Sequence, residues 1–195
     1  MITGIKVRQL EIITAAGEIL SESGISGLTT KRLAAKMGFS ESALYRHFKS
    51  KEEIMITMLD YLAGDMNKRF KACLENVDEP DLQLKELFNN QFEFFHKNPH
   101  FLVAIFSDGL LEESKDINKA ISEIMGVMRK TLLEIIEQGQ NDKIFTTSLL
   151  PEELVHIIMA SLRLQMLQWR MANYDFDLIQ KGNKLMAGIL ILIKT

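Results

Sequence analysis

The chain has 195 residues, 47% of them hydrophobic, enough to fill one large core or two small ones, and its 23 basic and 26 acidic residues leave a net charge of −3. The single cysteine, Cys73, excludes an intramolecular disulfide and suits a reducing, cytoplasmic compartment. The N-terminal MITGIKVRQLEII lacks the uninterrupted apolar run of a signal peptide, and no run of about 18 uncharged apolar residues occurs, so the expectation is a chain neither secreted nor membrane-spanning.

The first predicted element is an amphipathic helix over IKVRQLEIITAAGEILSESG, with Ile12, Ala16, Ile19 and Leu20 recurring at three- and four-residue steps and Gly24 as its stop. Thr29 or Thr30 then caps a second helix in which Leu33, Ala34 and Met37 face inward and Lys31, Arg32 and Lys36 stay in water. Gly38 supplies a positive-φ stop, Phe39 tucks under the turn, and Ser40 caps a short helix over ESALYRHF anchored by Leu44 and Phe48. Ser50 and Glu53 form a capping box for a long helix from Lys51 to about Cys73 or Leu74. The spacing of the second and third elements, braced by the first, is that of a helix-turn-helix with support on both sides.

The segment GLTTKRLAAKMGFSESALYRHFKSKEEI resembles the DNA-binding segment of the TetR family, the tetracycline-repressor-type regulators: threonine start, Leu-Ala pair, Gly-hydrophobic-Ser turn, LYRHF core and a lysine at the next helix start. The resemblance covers about Ile5 to Ile54. It implies phosphate contacts from Thr30, Tyr45, His47 and Lys51, and base contacts from Lys31, Glu41, Ser42, Ala43 and Arg46. At Glu41 two roles stay open: accepting from a cytosine amino group, or favouring the helix dipole while repelling phosphate. Charge is divided accordingly. Residues 1–51 hold eight basic and four acidic side chains, net +4, leaving 15 basic against 22 acidic beyond Lys51, net −7.

Pro80 in NVDEPD marks a boundary before a helix over LQLKELFNNQFEFFHK, stopped by Asn98-Pro99. A shorter helix over HFLVAIFSDGLLEE and a long one over DINKAISEIMGVMRKTLLEIIEQGQ follow, the latter ended by Gly139 and Asn141-Asp142. After a loop from about Phe145 to Leu150, a helix starts near Pro151, with Glu152 and Glu153 at the positive end of its dipole. It carries Leu154, Ile158, Leu162, Met166 and Trp169; after Tyr174-Asp175 a last helix carries Leu178, Leu185, Met186, Ile189 and Leu192. These two helices are apolar over more of their surface than one neighbour covers. The fold class expected is all-α, about nine helices: a DNA-binding domain over 1–50 and a helical effector-binding and dimerisation domain over 51–195.

The resemblance further implies a homodimer in which the last two helices of each subunit form a four-helix bundle, Gly182, Ala187 and Gly188 permitting close approach. It also implies an effector pocket. Phe88, Phe92, Phe95, Phe101, Ile105, Phe106, Met125, Met128, Met159 and Met166 can line one or fill a solid core; an apolar or amphipathic molecule fits so uncharged a wall, with Gln91, His96, Gln165 or Arg163 as polar contacts. No enzyme motif, cofactor motif or metal motif is present: G-x-S-x-G, P-loop, Rossmann glycines and H-E-x-x-H are all missing, and Asn98-Pro99 separates His96 from His100. Asp108 and the Glu112-Glu113 pair read as a solvated face. The function expected is a ligand-responsive regulator, a repressor, on a palindromic operator in double-stranded DNA; the alternative is an architectural or protein-partner-controlled DNA binder.

Overall fold

The computed structural model describes residues 5–106 and 114–195. Among them run nine helices: α1 (Val7–Gly27), α2 (Thr30–Lys36), α3 (Glu41–Leu44), α4 (Lys51–Leu74), α5 (Pro80–Lys97), α6 (His100–Phe106), α7 (Lys115–Asn141), α8 (Pro151–Met171) and α9 (Leu178–Ile193). The all-α class is as expected, and among the described residues no helix is long and apolar enough to cross a membrane. The expected continuation of α6 through Asp108, Glu112 and Glu113 lies outside the described residues.

The chain divides into two compact units, one of Met1–Asp65 and Asn98–Met125, the other of Met66–Lys97 and Gly126–Thr195. In the first unit α1 packs on α2 and α6, and α2 on α3. Ile12, Ala16, Ile19, Leu20, Leu33, Leu44 and Phe48 are all buried there, the three- and four-residue spacing of α1 having delivered one continuous apolar stripe. Gly17 lets α6 come close: a Cβ there would stand 3.0 Å from His100 Cδ2 and 3.3 Å from the Phe101 ring. Gly24, at φ 65° and ψ −169°, breaks α1 as expected, although a further turn runs on to Gly27.

In the second unit α5 lies along α9, and α9 packs on α8. Gly182 of α9 is buried against the Phe92 ring, which a Cβ at that position would overlap. Its role is therefore inside the chain, and the expectation that it serves close approach between subunits is corrected. Asn183 donates to Asn89 at 3.0 Å along the same seam. The Trp169 indole donates to the Phe176 carbonyl at 3.0 Å and meets the Tyr174 ring edge-on at 4.7 Å, closing the turn from α8 to α9.

The apolar C-terminus is held in place. Thr146 N–H donates to Ile193 O at 2.7 Å and Thr195 N–H to Ile144 O at 3.1 Å, an isolated antiparallel bridge between Phe145 and Lys194. Lys194 Nζ also pairs with Asp81 at 2.6 Å. Phe145 fits over Gly139, whose Cβ would overlap the ring. Gly139 is thus a packing residue inside α7 and not its stop; α7 runs to Asn141, and Lys143 takes the left-handed φ of 59°. α5 begins two residues earlier than its apolar pattern, because proline is tolerated in a first turn, where its missing N–H costs no helical bond.

Candidate DNA-binding site

Local hydrogen bonds build the reading segment. Thr29 Oγ1 accepts from Arg32 N at 3.1 Å, resolving the choice of cap for α2 in favour of Thr29. Gly38 has φ 67°, and Phe39 N–H donates to Ala34 O at 2.8 Å, so the turn closes on the helix that precedes it. Ser40 Oγ caps α3 by accepting from Ala43 N at 3.2 Å. α3 is regular only from Glu41 to Leu44, shorter than the ESALYRHF segment; bonds from Arg46 N to Ala43 O and from His47 N to Leu44 O tighten it into turns through Phe48. Buried Leu44 and Phe48, four residues apart, still anchor the segment. The next cap differs in one bond from the simple box: Ser50 Oγ accepts from Glu53 N at 3.1 Å, while Glu53 reaches back to the Lys49 N–H.

This scaffold leaves Lys31, Glu41, Ser42, Tyr45 and Arg46 exposed and Thr30, Ala43, His47 and Lys51 half-buried. The basic side chains fall into two groups. Arg32 pairs with Glu22 at 3.0 Å and also donates to Ser23, and Lys36 pairs with Glu18 at 3.0 Å and Glu22 at 3.2 Å, so these two lock α2 onto α1. Donating to the carboxylates of Glu18 and Glu22 raises the Lys36 pKa, and the Lys36 ammonium lowers that of Glu22. Among the described residues no carboxylate pairs with Lys31, Arg46 or Lys49, whose charge faces outward for a polyanion.

Three contacts in the head were not foreseen from the sequence. Gln9 Nε2 donates to the His47 carbonyl at 3.4 Å, the Arg8 guanidinium lies 5.2 Å from the centroid of the Phe39 ring, and Thr30 Oγ1 donates to Glu41 Oε2 at 3.0 Å. The first two tie α1 to the reading segment across more than thirty residues, a separation over which no periodicity carries a signal. The third commits the Thr30 hydroxyl proton to a carboxylate, where the resemblance implied a phosphate contact.

The effector-pocket candidates fall in both units. Phe101 and Ile105 are buried in the first; Phe88, Phe92, Phe95, Met128 and Met166 are buried and Met159 half-buried in the second. Phe106, at the end of α6, is half-buried. Met125 departs from expectation. It is 48% exposed, because it sits one residue and about 100° round α7 from the buried Ile121, Ile124 and Met128 row. Of the polar candidates, Gln91 is buried and accepts from both terminal nitrogens of Arg69 at 3.4 Å, beneath a guanidinium lying 4.0 Å from the Phe94 ring centroid. Arg69 itself was missed by the sequence reading. His96 and Arg163 are exposed and Gln165 half-buried. His96, in the last turn of α5, lies beside Trp169, with ring centroids 6.4 Å apart, while His100 begins α6; the two belong to different units.

The head's geometry agrees with the family models. Residues 12–58 match the model of bacterial regulatory proteins of the tetR family, and residues 61–192 match the C-terminal region of YsiA-like proteins. The chain belongs to the TetR family. That family is one of bacterial regulatory proteins, and the relatives form a class of transcriptional regulators and not of enzymes. It is 27% identical to the HTH-type transcriptional regulator YerO of Bacillus subtilis, over 76% of this chain and 53% of that protein. It is 24% identical to the nucleoid occlusion factor SlmA of Haemophilus influenzae, over 68% of this chain and 62% of that one. The chain thus spans less than two thirds of the length of both curated relatives. The fold of this TetR-family chain is similar to that of the regulator FadR from Bacillus subtilis in complex with stearoyl-CoA, with a TM-score of 0.83 at 19% identity over 95% of this chain and 98% of that one.

Proposed function

We propose that this regulator is a repressor that binds a palindromic operator as a homodimer and releases it when an apolar or amphipathic small molecule binds. In this reading residues 1–50, joined by Lys51 at the start of α4, read DNA through the side chains already named, and the rest of 51–195 dimerises and holds the effector. The observation that carries the reading is a stripe on α8. Ile157, Ala160, Leu164, Leu167 and Met171 are all exposed and recur at steps of three and four, the spacing of a helix seam, with Ala187, Gly188, Ile191 and Leu192 exposed on α9. Leu164 is 55% exposed and Leu192 81%, and contiguous apolar surface of this kind marks an interface. A second copy covers it with the same surface, and two heads then match two half-sites where one head binds weakly.

The effector class rests on the apolar side chains Phe88, Phe92, Phe95, Met128, Met159 and Met166 within one unit, and on the likeness to a regulator whose structure contains stearoyl-CoA. The likeness to a nucleoid occlusion factor favours a second reading, an architectural or protein-partner-controlled DNA binder without a small-molecule effector. One experiment separates them. The purified protein is mixed at moderate salt with sheared DNA from its own source, and bound fragments are sequenced before and after addition of long-chain fatty acids and their CoA esters. Enrichment of one or a few palindromes, with half-sites about one DNA turn or a multiple apart and release by one of these lipids, is the expected result. Uniform, salt-sensitive recovery that no lipid changes overturns it.

A further inference from the structure

From Thr29 to Ser50 the reading segment holds Lys31, Arg32, Lys36, Arg46 and Lys49 but a single carboxylate, Glu41, on the first residue of α3. Facing a polyanion, that charge is unfavourable unless it meets a hydrogen-bond donor. Its place in the first turn suits the dipole of α3, but a helix of four residues has a small one, and neither capping nor ion pairing falls to it. Capping belongs to Ser40, whose hydroxyl accepts from Ala43 N and shares a hydrogen bond with Ser42 Oγ at 2.9 Å. Ion pairing belongs to Glu18 and Glu22, which hold Lys36 and Arg32; among the described residues no cation pairs with Glu41. Nor is the carboxylate folded back over its own helix. It extends across to α2, where Oε2 accepts from Thr30 Oγ1 at 3.0 Å.

A hydroxyl donating to one oxygen fixes the direction of a carboxylate and leaves its second oxygen, Oε1, to accept on the exposed face of the reading segment. The first residues of a recognition helix are those that reach base edges, and Ser42 and Ala43 beside Glu41 are small enough to permit that approach. Two major-groove amino groups can donate to a carboxylate, N4 of cytosine and N6 of adenine; adenine's N6 stands beside the acceptor N7, which repels a carboxylate, and guanine (N7, O6) and thymine (O4) offer acceptors alone, so cytosine is the better match.

We propose that Glu41 is a specificity-determining residue that reads a cytosine amino group in the major groove, and that Thr30 is its positioning residue. The assignment rests on the operator-binding reading above. Its test uses the full chain and a pool of duplexes with a randomised central segment, taken through rounds of binding at moderate salt. Wild type, Glu41→Ala, Glu41→Gln and Thr30→Val are compared, with thermal melting as a check that each variant folds.

Wild type is expected to enrich a C·G pair at one symmetry-related position of each half-site. Glu41→Ala loses that preference by about tenfold or more at this position alone. Glu41→Gln moves it toward adenine, whose N6 and N7 suit an amide. Thr30→Val blurs it at the same position and no other, which a purely structural tie between α2 and α3 would not do. If Glu41→Ala enriches the same sequences as wild type, or loses preference evenly at every position, the assignment is overturned while operator binding stands. If wild type enriches nothing, the operator reading falls and the assignment with it.

Discussion

Gly182 faces the Phe92 ring along the seam of α9 and α5, and replacing it with valine tests whether that seam is as tight as it stands. Valine puts a Cβ where the ring lies and adds two methyl groups, and Phe92, fully buried, has no solvent to rotate into. Overfilling a close-packed interior costs about 1–3 kcal/mol. Removing glycine from a helix interior returns a few tenths of a kcal/mol, since valine is itself a modest helix former. The net loss expected is about 1–2.5 kcal/mol, or a fall in Tm of about 3–8 °C for a chain of this length. Far-UV circular dichroism melts at one fixed protomer concentration measure it, because self-association makes Tm depend on concentration. Phe92→Leu, destabilising alone, is expected to cost less in the Gly182→Val background than in wild type, a coupling of about 1 kcal/mol. A Gly182→Val chain that melts at or above wild type, or strict additivity in the double variant, refutes the reasoning.

Two further outcomes follow from the same structure. Leu164→Glu combined with Leu192→Glu places charge on the exposed stripes of α8 and α9, and sedimentation velocity is expected to show a dimer becoming a monomer with weakened operator binding; an unchanged mass counts against the stripe as the interface. His100, packed on Phe101 at 4.2 Å with Nε2 buried and unpaired, has its pKa lowered from 6.5 by burial, against a small opposing pull from Glu18. The unfolded chain therefore takes up this proton at higher pH than the folded one. The stabilisation is complete above the ordinary histidine value and is lost as pH falls through the depressed one. Denaturation midpoints between about pH 7 and about pH 5 should fall less steeply for His100→Gln than for wild type, and parallel slopes would sink the assignment.

Helix ends were legible in the sequence because they are set within three or four residues of themselves. Thr29, Ser40 and Ser50 each cap through a bond to a backbone N–H three residues on, Gly38 takes the φ that only its missing side chain makes easy, and Pro151 opens a helix whose first turn needs no donor from it, whereas Pro80, read as a boundary, proved to open α5 itself. The apolar stripe of α1 was legible for the same reason, as were the side chains left outward on the reading segment. Contacts between segments distant in the chain were not. Thr30 with Glu41, Gln9 with the His47 carbonyl, Phe92 in the notch of Gly182, Phe145 over Gly139 and the bridge from Phe145 to Lys194 depend on where whole helices come to rest. Met125 shows how little it takes: one residue along α7 turns a side chain about 100°, enough to move a candidate wall residue out into solvent. The sequence alone determined which residues stand on a helix and which could read DNA; tertiary packing decided which glycines are notches, which methionines are interior, and that the single carboxylate of the reading segment is held by a neighbour's hydroxyl. Local hydrogen bonds obey spacing along the chain, whereas packing obeys shape, and shape appears only once the helices have met.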